Sequence, residues 1–164
     1  VNGRFTARQK AVYQAVLNVK NEATKMLVPG TLWEAYHEEV GKLMTSELVG
    51  LGLLDSADIQ NQDSKRPAYK KYFMHGTSHY LGLDVHDAGT RGEFQPNTVI
   101  TVEPGIYIKE GSPCDPKWWT IGVRIEDDIL ITDSLPENLS GCIPRSTKEI
   151  EKMMKLEPTL FKDF

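Results

Sequence analysis

Cysteine is scarce. Cys114 and Cys142 are the only two, and they lack the close pairing of a zinc knuckle or a thiol–disulfide motif. A disulfide framework is therefore excluded, and a reducing compartment is the default. No apolar run approaches the roughly 18 residues that a membrane helix needs. No surplus of positive charge exists either: the formal net charge is −4 and the lysines and arginines are scattered. Neither nucleic acid nor an anionic membrane is an expected partner. No charged-then-apolar segment opens the chain. Together with the unpaired cysteines, this sets the expectation of a cytoplasmic protein. There is no internal repeat, low-complexity tract or evident linker, and 164 residues make one domain or a piece of one. An initiator Met is also missing. Asn2-Gly3 reads as a hairpin turn, yet only Val1 precedes it where a strand belongs, so the natural chain is expected to begin earlier.

Helical periodicity dominates the first third. Thr6-Ala-Arg-Gln9 fits a capping box, and Val12, Ala15, Val16, Val19, Ala23 and Met26 follow at helical spacing. Pro29-Gly30 ends that helix. Thr31-Leu-Trp-Glu34 reads as a second capping box, opening a helix whose apolar face is Ala35, Val40, Leu43, Met44 and Leu48. Residues 55–68 are polar and read as a surface loop or insertion. Ala68 to Tyr80 is expected to be helical, and Leu81 to His86, which alternates, to be a strand. Thr98 to Glu103 is β-branched and alternating, a strand by composition; Pro104-Gly105 interrupts it and Ile106-Tyr-Ile108 resumes it. Gly111 to Trp119 reads as a loop and Ile121 to Thr132 as a further strand. Ser146-Thr-Lys-Glu149 is a third capping box and starts a terminal helix. The fold class expected is α+β, helices packed on a mostly antiparallel sheet.

What is present in concentration is histidine. Three of the four lie in His75-Gly-Thr-Ser-His79-Tyr-Leu-Gly-Leu-Asp-Val-His86-Asp87. Glutamates follow in Thr101-Val-Glu103-Pro-Gly-Ile-Tyr and in Gly122-Val-Arg124-Ile-Glu126-Asp-Asp. Two carboxylates on paired strands repel unless a cation stands between them. A divalent ion removes that cost, and a histidine supplies a nitrogen ligand. One imidazole with hard oxygen donors suits Mn, Co, Fe or Zn, whereas structural zinc prefers cysteine and histidine. Each residue also has a plainer reading. His37 reads as a surface or boundary residue of its helix. His75 and His79, four apart, read equally as neighbours on a helix face; Gly76 stands where a zinc-protease helix carries glutamate. His75, His79 and His86 together are a three-histidine zinc alternative. Glu103 alone reads as a strand-end charge, Glu126-Asp127-Asp128 as a solvated acidic turn. Trp33, Trp118 and Trp119 read as packing residues, although the adjacent tryptophans in a proline-containing loop would also suit a pocket mouth.

The ordered combination resembles the C-terminal catalytic domain of Xaa-Pro aminopeptidases (aminopeptidase P) and the related prolidases, metallopeptidases of the pita-bread fold shared with methionine aminopeptidase and creatinase. The similarity runs from about Val1 to Lys148, carried by the histidine block, by Thr-Val-Glu-Pro-Gly-Ile-Tyr-Ile and by Gly-Val-Arg-Ile-Glu-Asp-Asp-Ile-Leu-Ile-Thr. It implies hydrolysis of the bond between an N-terminal residue and a following proline, by a water activated at two metal ions. Manganese is the first expectation, with zinc or cobalt as alternatives. His79 is implied as the nitrogen ligand, Glu103 as a terminal carboxylate ligand and candidate proton shuttle, and Glu126 as the bridge between the ions. His75 and His86 are implied to line the substrate site and Arg124 to organise it or meet substrate; Asp84 and Asp87 are structural. The implied partners are peptides with proline second, and a homo-oligomer of the full-length protein.

In that family five ligands hold two ions, and both aspartates lie upstream of the histidine. No Asp precedes Asp55 here. The chain, 1–164, is therefore expected to be the C-terminal part of the catalytic domain, with the upstream half of the fold and the N-terminal domain absent. It would hold three ligands and one ion or none, be inactive or nearly so alone, and leave a sheet edge and apolar surface open to self-association. The rival readings are a prolidase, a non-catalytic pita-bread binding module and a metal-free hydrolase of the creatinase type. Retention of both glutamates argues against the last two.

Overall fold

The computed structural model describes residues 3–63 and 65–156. Val1 and Asn2 fall outside them, and the expected Asn2-Gly3 turn with them. Two long helices open the chain, α1 (Ala7–Lys25) and α2 (Trp33–Gly50), followed by a short α3 (Ser56–Gln60). Five strands come next, β1 (Thr98–Val102), β2 (Gly105–Ile108), β3 (Ile121–Arg124), β4 (Asp127–Ile131) and β5 (Glu137–Asn138), and then α4 (Thr147–Met153). The expected α+β class is what folds.

Helix α1 starts as its sequence dictates: the Thr6 hydroxyl accepts from Gln9 N–H while the Gln9 side chain returns to the Thr6 backbone. The Ser146–Glu149 box opens α4 in the same way. The second expected box does not form. The N-cap of α2 is Leu32, without a side-chain cap. Residues 30–33 instead run beside 92–94: Trp33 N–H donates to Gly92 O at 3.0 Å, and Phe94 N–H to Thr31 O at 2.9 Å. A neighbouring backbone thus meets one of the donors that a cap would have served, Trp33 N–H. The polar stretch after residue 55 is not all loop either, because Asp55 and Asp58 form a reciprocal box that nucleates α3.

The sheet places the site. β1 pairs antiparallel with β4, β4 with β5, and β2 with β3. Val102 stands opposite Asp127 and Gly105 opposite Arg124, so one register runs through both ladders. What read as one strand, residues 121–132, is two, because Pro104 has no N–H to offer the facing strand. Ile100, Val102, Ile129 and Ile131 project to one face and are fully buried with Val12, Val16 and Ala23 of α1. The opposite face carries Thr101 and Glu103.

Two further expectations fail here. Only Ala68–Lys71 is helical within 68–80, as a single 3₁₀ turn. The chain then extends along β1, with Glu103 N–H donating to Thr77 O (2.7 Å), Thr101 N–H to His79 O (3.0 Å) and Leu81 N–H to Val99 O (3.2 Å). Sheet partners outcompete local helix propensity, which is weak at Gly76, Thr77 and Ser78. His75 and His79 are accordingly not helix-face neighbours. Leu81 to His86 is not a strand: Asp87 N–H donates to Tyr80 O at 3.1 Å, and the Asp87 carboxylate accepts from Leu83 N–H at 3.0 Å, closing a loop. Asp87 is structural, as expected.

Candidate metal centre

Ile125 N–H donates to Pro104 O, which makes 104 and 125 a hydrogen-bonded pair. Antiparallel pairs alternate, so 103 and 126, directly opposite, are the kind whose backbone groups point outward and whose side chains stand closest. Glu103 and Glu126 are therefore brought together by register, and Arg124, two residues before Glu126, shares their face. Its Nη1 lies 3.3 Å from Glu103 Oε2 and 3.9 Å from Glu126 Oε2.

His79 reaches the same place from the segment beside β1. Its own N–H donates to the Thr101 hydroxyl at 3.1 Å, and Thr101 is buried. The Nδ1 of His79 lies 2.9 Å from Tyr80 O. A carbonyl only accepts, so Nδ1 carries the proton and Nε2 of the neutral ring carries the lone pair. That lone pair faces Glu103 Oε1 at 3.3 Å. Two acceptors confront one another, an arrangement relieved by a proton or a cation between them. Ligand atoms of His79, Glu103 and Glu126 all lie within 4.8 Å of one another. The histidine and Glu103 are partly buried and Glu126 is exposed. One imidazole nitrogen and two carboxylates on a pre-formed face fit a divalent ion that accepts hard oxygen donors. The position of His79 is held from behind: the Tyr36 hydroxyl of α2 meets Ser78 Oγ at 3.0 Å, and burial pushes the Tyr36 phenol up.

The remaining expected residues fall around this group. His75 is not within it. Its Nδ1 donates to Gly76 O at 2.7 Å, leaving Nε2 to accept from the Tyr107 hydroxyl at 2.8 Å. That hydroxyl accepts in turn from Arg124 Nε at 3.1 Å, a contact that raises the arginine's pKa further. His86 is exposed, with its ring 4.4 Å from that of His79. Asp84 is exposed and outside the site. The three-histidine alternative finds no support, because the group that converges contains one histidine and two glutamates. Trp118 is buried in the core, as a packing residue.

Reasoning from sequence missed Tyr107 and Thr101, though both were findable: each sits two or four residues from Glu103 and so on its face. It also misread Asp127. Far from lying in a solvated turn, Asp127 is buried on the opposite face, bound by Lys20 of α1 and by Arg145.

The sequence and the fold both have counterparts among known proteins. A sequence model of metallopeptidase family M24 matches residues 1–133. The chain is 39% identical over 159 residues to a Xaa-Pro aminopeptidase of Haemophilus influenzae, covering 94% of this chain and 36% of that protein. It superposes on the solved structure of Escherichia coli aminopeptidase P with the inhibitor Pro-Leu at a TM-score of 0.83 and 40% identity, covering 93% of this chain and 36% of that one. A zinc-substituted form of the same enzyme in complex with product gives the same TM-score, identity and coverage. The chain thus spans about a third of the length of the curated relatives it matches.

Proposed function

Since the chain belongs to metallopeptidase family M24, we propose that His79, Glu103 and Glu126 hold a catalytic divalent ion, and that the protein hydrolyses the peptide bond between an N-terminal residue and a following proline. The observation that carries the metal reading is the convergence of His79, Glu103 and Glu126, whose ligand atoms lie within 4.8 Å of one another. The relatives named Xaa-Pro aminopeptidase supply the substrate class.

Manganese is the ion proposed, because two of the three donors are carboxylate oxygens; zinc and cobalt fit the imidazole as well. A bound ion of this kind supplies Lewis acidity and lowers the pKa of water. The side chains do the rest. Glu103, beside the imidazole and under the Arg124 guanidinium, is placed to carry a proton to the leaving amine. Arg124 offsets the negative charge of both carboxylates and keeps Glu103 oriented. His86, on the exposed side of His79, is placed to meet the substrate carbonyl and the negative charge that develops on it. His75, its tautomer set by the Gly76 carbonyl, acts on the substrate side together with the Tyr107 hydroxyl at its Nε2.

The test is hydrolysis, by the full-length protein that contains this chain, of a tripeptide with proline second, of the same peptide carrying alanine there and of an Xaa-Pro dipeptide, in the presence and absence of Mn²⁺. Release of the first residue from the proline peptide alone, dependent on metal, is the expected result. Cleavage confined to Xaa-Pro dipeptides would move the assignment to a prolidase. Metal-dependent binding without cleavage of any of these would overturn the peptidase reading.

A further inference from the structure

Behind Glu126, on the core face of the sheet, lies a charged cluster that the proposed chemistry does not use. The Asp127 side chain is entirely buried, and the Lys20 side chain is 6% exposed. Asp127 Oδ2 accepts from Lys20 Nζ and, at 2.9 Å, from Asn138 Nδ2 of β5. Its Oδ1 accepts from Arg145 Nη2. Among apolar neighbours such as Ile100, Val102 and Ile129, this is a costly place for a carboxylate and two cations. Apolar side chains of similar size would serve stability at least as well, so stability alone does not explain the cluster.

What the cluster touches suggests its use. The same Arg145 Nη2 donates to Glu126 O at 3.0 Å. That carbonyl belongs to the outward-pointing kind, directed away from β1. On its outer side β5 pairs with Ile129 and Leu130, and among the described residues no strand reaches back to Glu126. A guanidinium supplies the donor that a neighbouring strand would have given. Arg145 is itself held, since the Tyr13 hydroxyl of α1 donates to Arg145 O at 2.8 Å. Tyr13 and Lys20 are seven residues apart on one face of α1, so a single helix grips both Arg145 and Asp127. Glu126 and Asp127 are consecutive in an extended segment, and their side chains leave on opposite faces. Fixing one therefore fixes the other.

We infer that the buried Lys20–Asp127–Arg145 cluster is the device that aims the Glu126 carboxylate into the ion site, with Arg145 as the positioning residue. The inference rests on the proposed metal reading for its consequence, and on backbone geometry for its substance.

The experiment compares Arg145→Met with wild type in the full chain, using two readouts: Mn²⁺ affinity by calorimetry, and amide resonances of the metal-free protein. Leu48→Ala is the control for lost stability, since Leu48 is buried near the end of α2, which contributes no ion ligand. Arg145→Lys keeps a charge against Asp127 and provides the same comparison should the methionine variant not fold. Expected are a fall in Mn²⁺ affinity of about 10- to 100-fold, as for groups that orient metal ligands, and shifted metal-free resonances at Arg124, Glu126 and Glu103. The control should change neither. Wild-type affinity in both Arg145 variants would overturn the inference. A wild-type chain that takes up no Mn²⁺ overturns the metal reading instead. In that case resonance shifts confined to residues 144–146 would overturn the positioning role, and shifts reaching Glu126 and Arg124 would uphold it.

Discussion

His79 Nε2 and Glu103 Oε1 face each other at 3.3 Å while the other ring nitrogen of His79 is committed to a carbonyl. The contact joins two parts of the chain that are remote in local structure, an irregular segment and the end of β1. It is made by three main-chain hydrogen bonds, from Glu103, Thr101 and Leu81 to residues 77, 79 and 99. The site is thus built on sheet hydrogen bonding. The proposed ligands therefore stand on a framework already formed, which limits the ordering cost of binding an ion.

Tyr107 links Arg124 to His75, so Tyr107→Phe removes one acceptor and one donor at once. The fold should persist, because the ring remains. Metal-dependent peptide turnover should drop about tenfold or more, the scale of losing an orienting group. Steady-state kinetics of the full-length protein with a proline tripeptide checks this; unchanged turnover would mean that the hydroxyl orients neither partner.

Asp127→Ala leaves Lys20 and Arg145 buried without their shared carboxylate. Removing one partner of a buried ion pair costs about 3–5 kcal/mol. Urea unfolding should show a loss in that range, with the unfolding slope unchanged. Lys20→Met, which leaves Asp127 with Arg145 and Asn138, should cost less.

Burial lowers the pKa of His37 from its ordinary 6.5, outweighing the hydrogen bond to Trp33 O. The unfolded chain therefore binds this proton more readily than the folded one. The sign follows: stability from this group is complete above pH 6.5 and is lost as the pH falls below it, until the folded-state pKa is passed. His37→Gln should flatten the stability profile on the acid side of 6.5. Thermal melts of both proteins from pH 7.5 to 5 measure it, and parallel profiles would refute it.

A methyl group on Gly89 would run into the Tyr80 ring, which stacks on Trp33 at a centroid distance of 5.4 Å. Tyr80 also supplies the carbonyl that sets the His79 tautomer. Gly89→Ala should cost about 1–3 kcal/mol, as overpacking does, and should weaken Mn²⁺ binding as well. Denaturation and calorimetry on the same sample separate the two effects.

Much of this was legible in the sequence. Thr6 and Gln9 announced α1, Ser146 and Glu149 announced α4, and alternation from Thr98 to Val102 announced β1, because each signal is local. His79, Glu103 and Glu126 were identifiable through a family resemblance, and the register that brings the glutamates together is fixed by the strands on either side. The path of residues 77–81 was not legible, since it is set by hydrogen bonds to a strand some twenty positions away. Asp127 was hidden by its neighbours: Glu-Asp-Asp reads as solvated. The alternation Asp127-Ile129-Ile131 nevertheless put it on the apolar face, and that signal went unread. The start of α2 escaped because residues 30–33 pair with the backbone of residues 92–94, some sixty positions away, in place of a side-chain cap.

The most direct test of the central claim is a calorimetric Mn²⁺ titration of the full-length wild-type protein beside its Glu126→Gln variant. Binding by the wild type that is abolished or weakened at least about 100-fold in the variant, beyond what orienting groups contribute, is the result predicted for an ion held by His79, Glu103 and Glu126. Equal affinity in the two proteins, or no uptake by either, would contradict it.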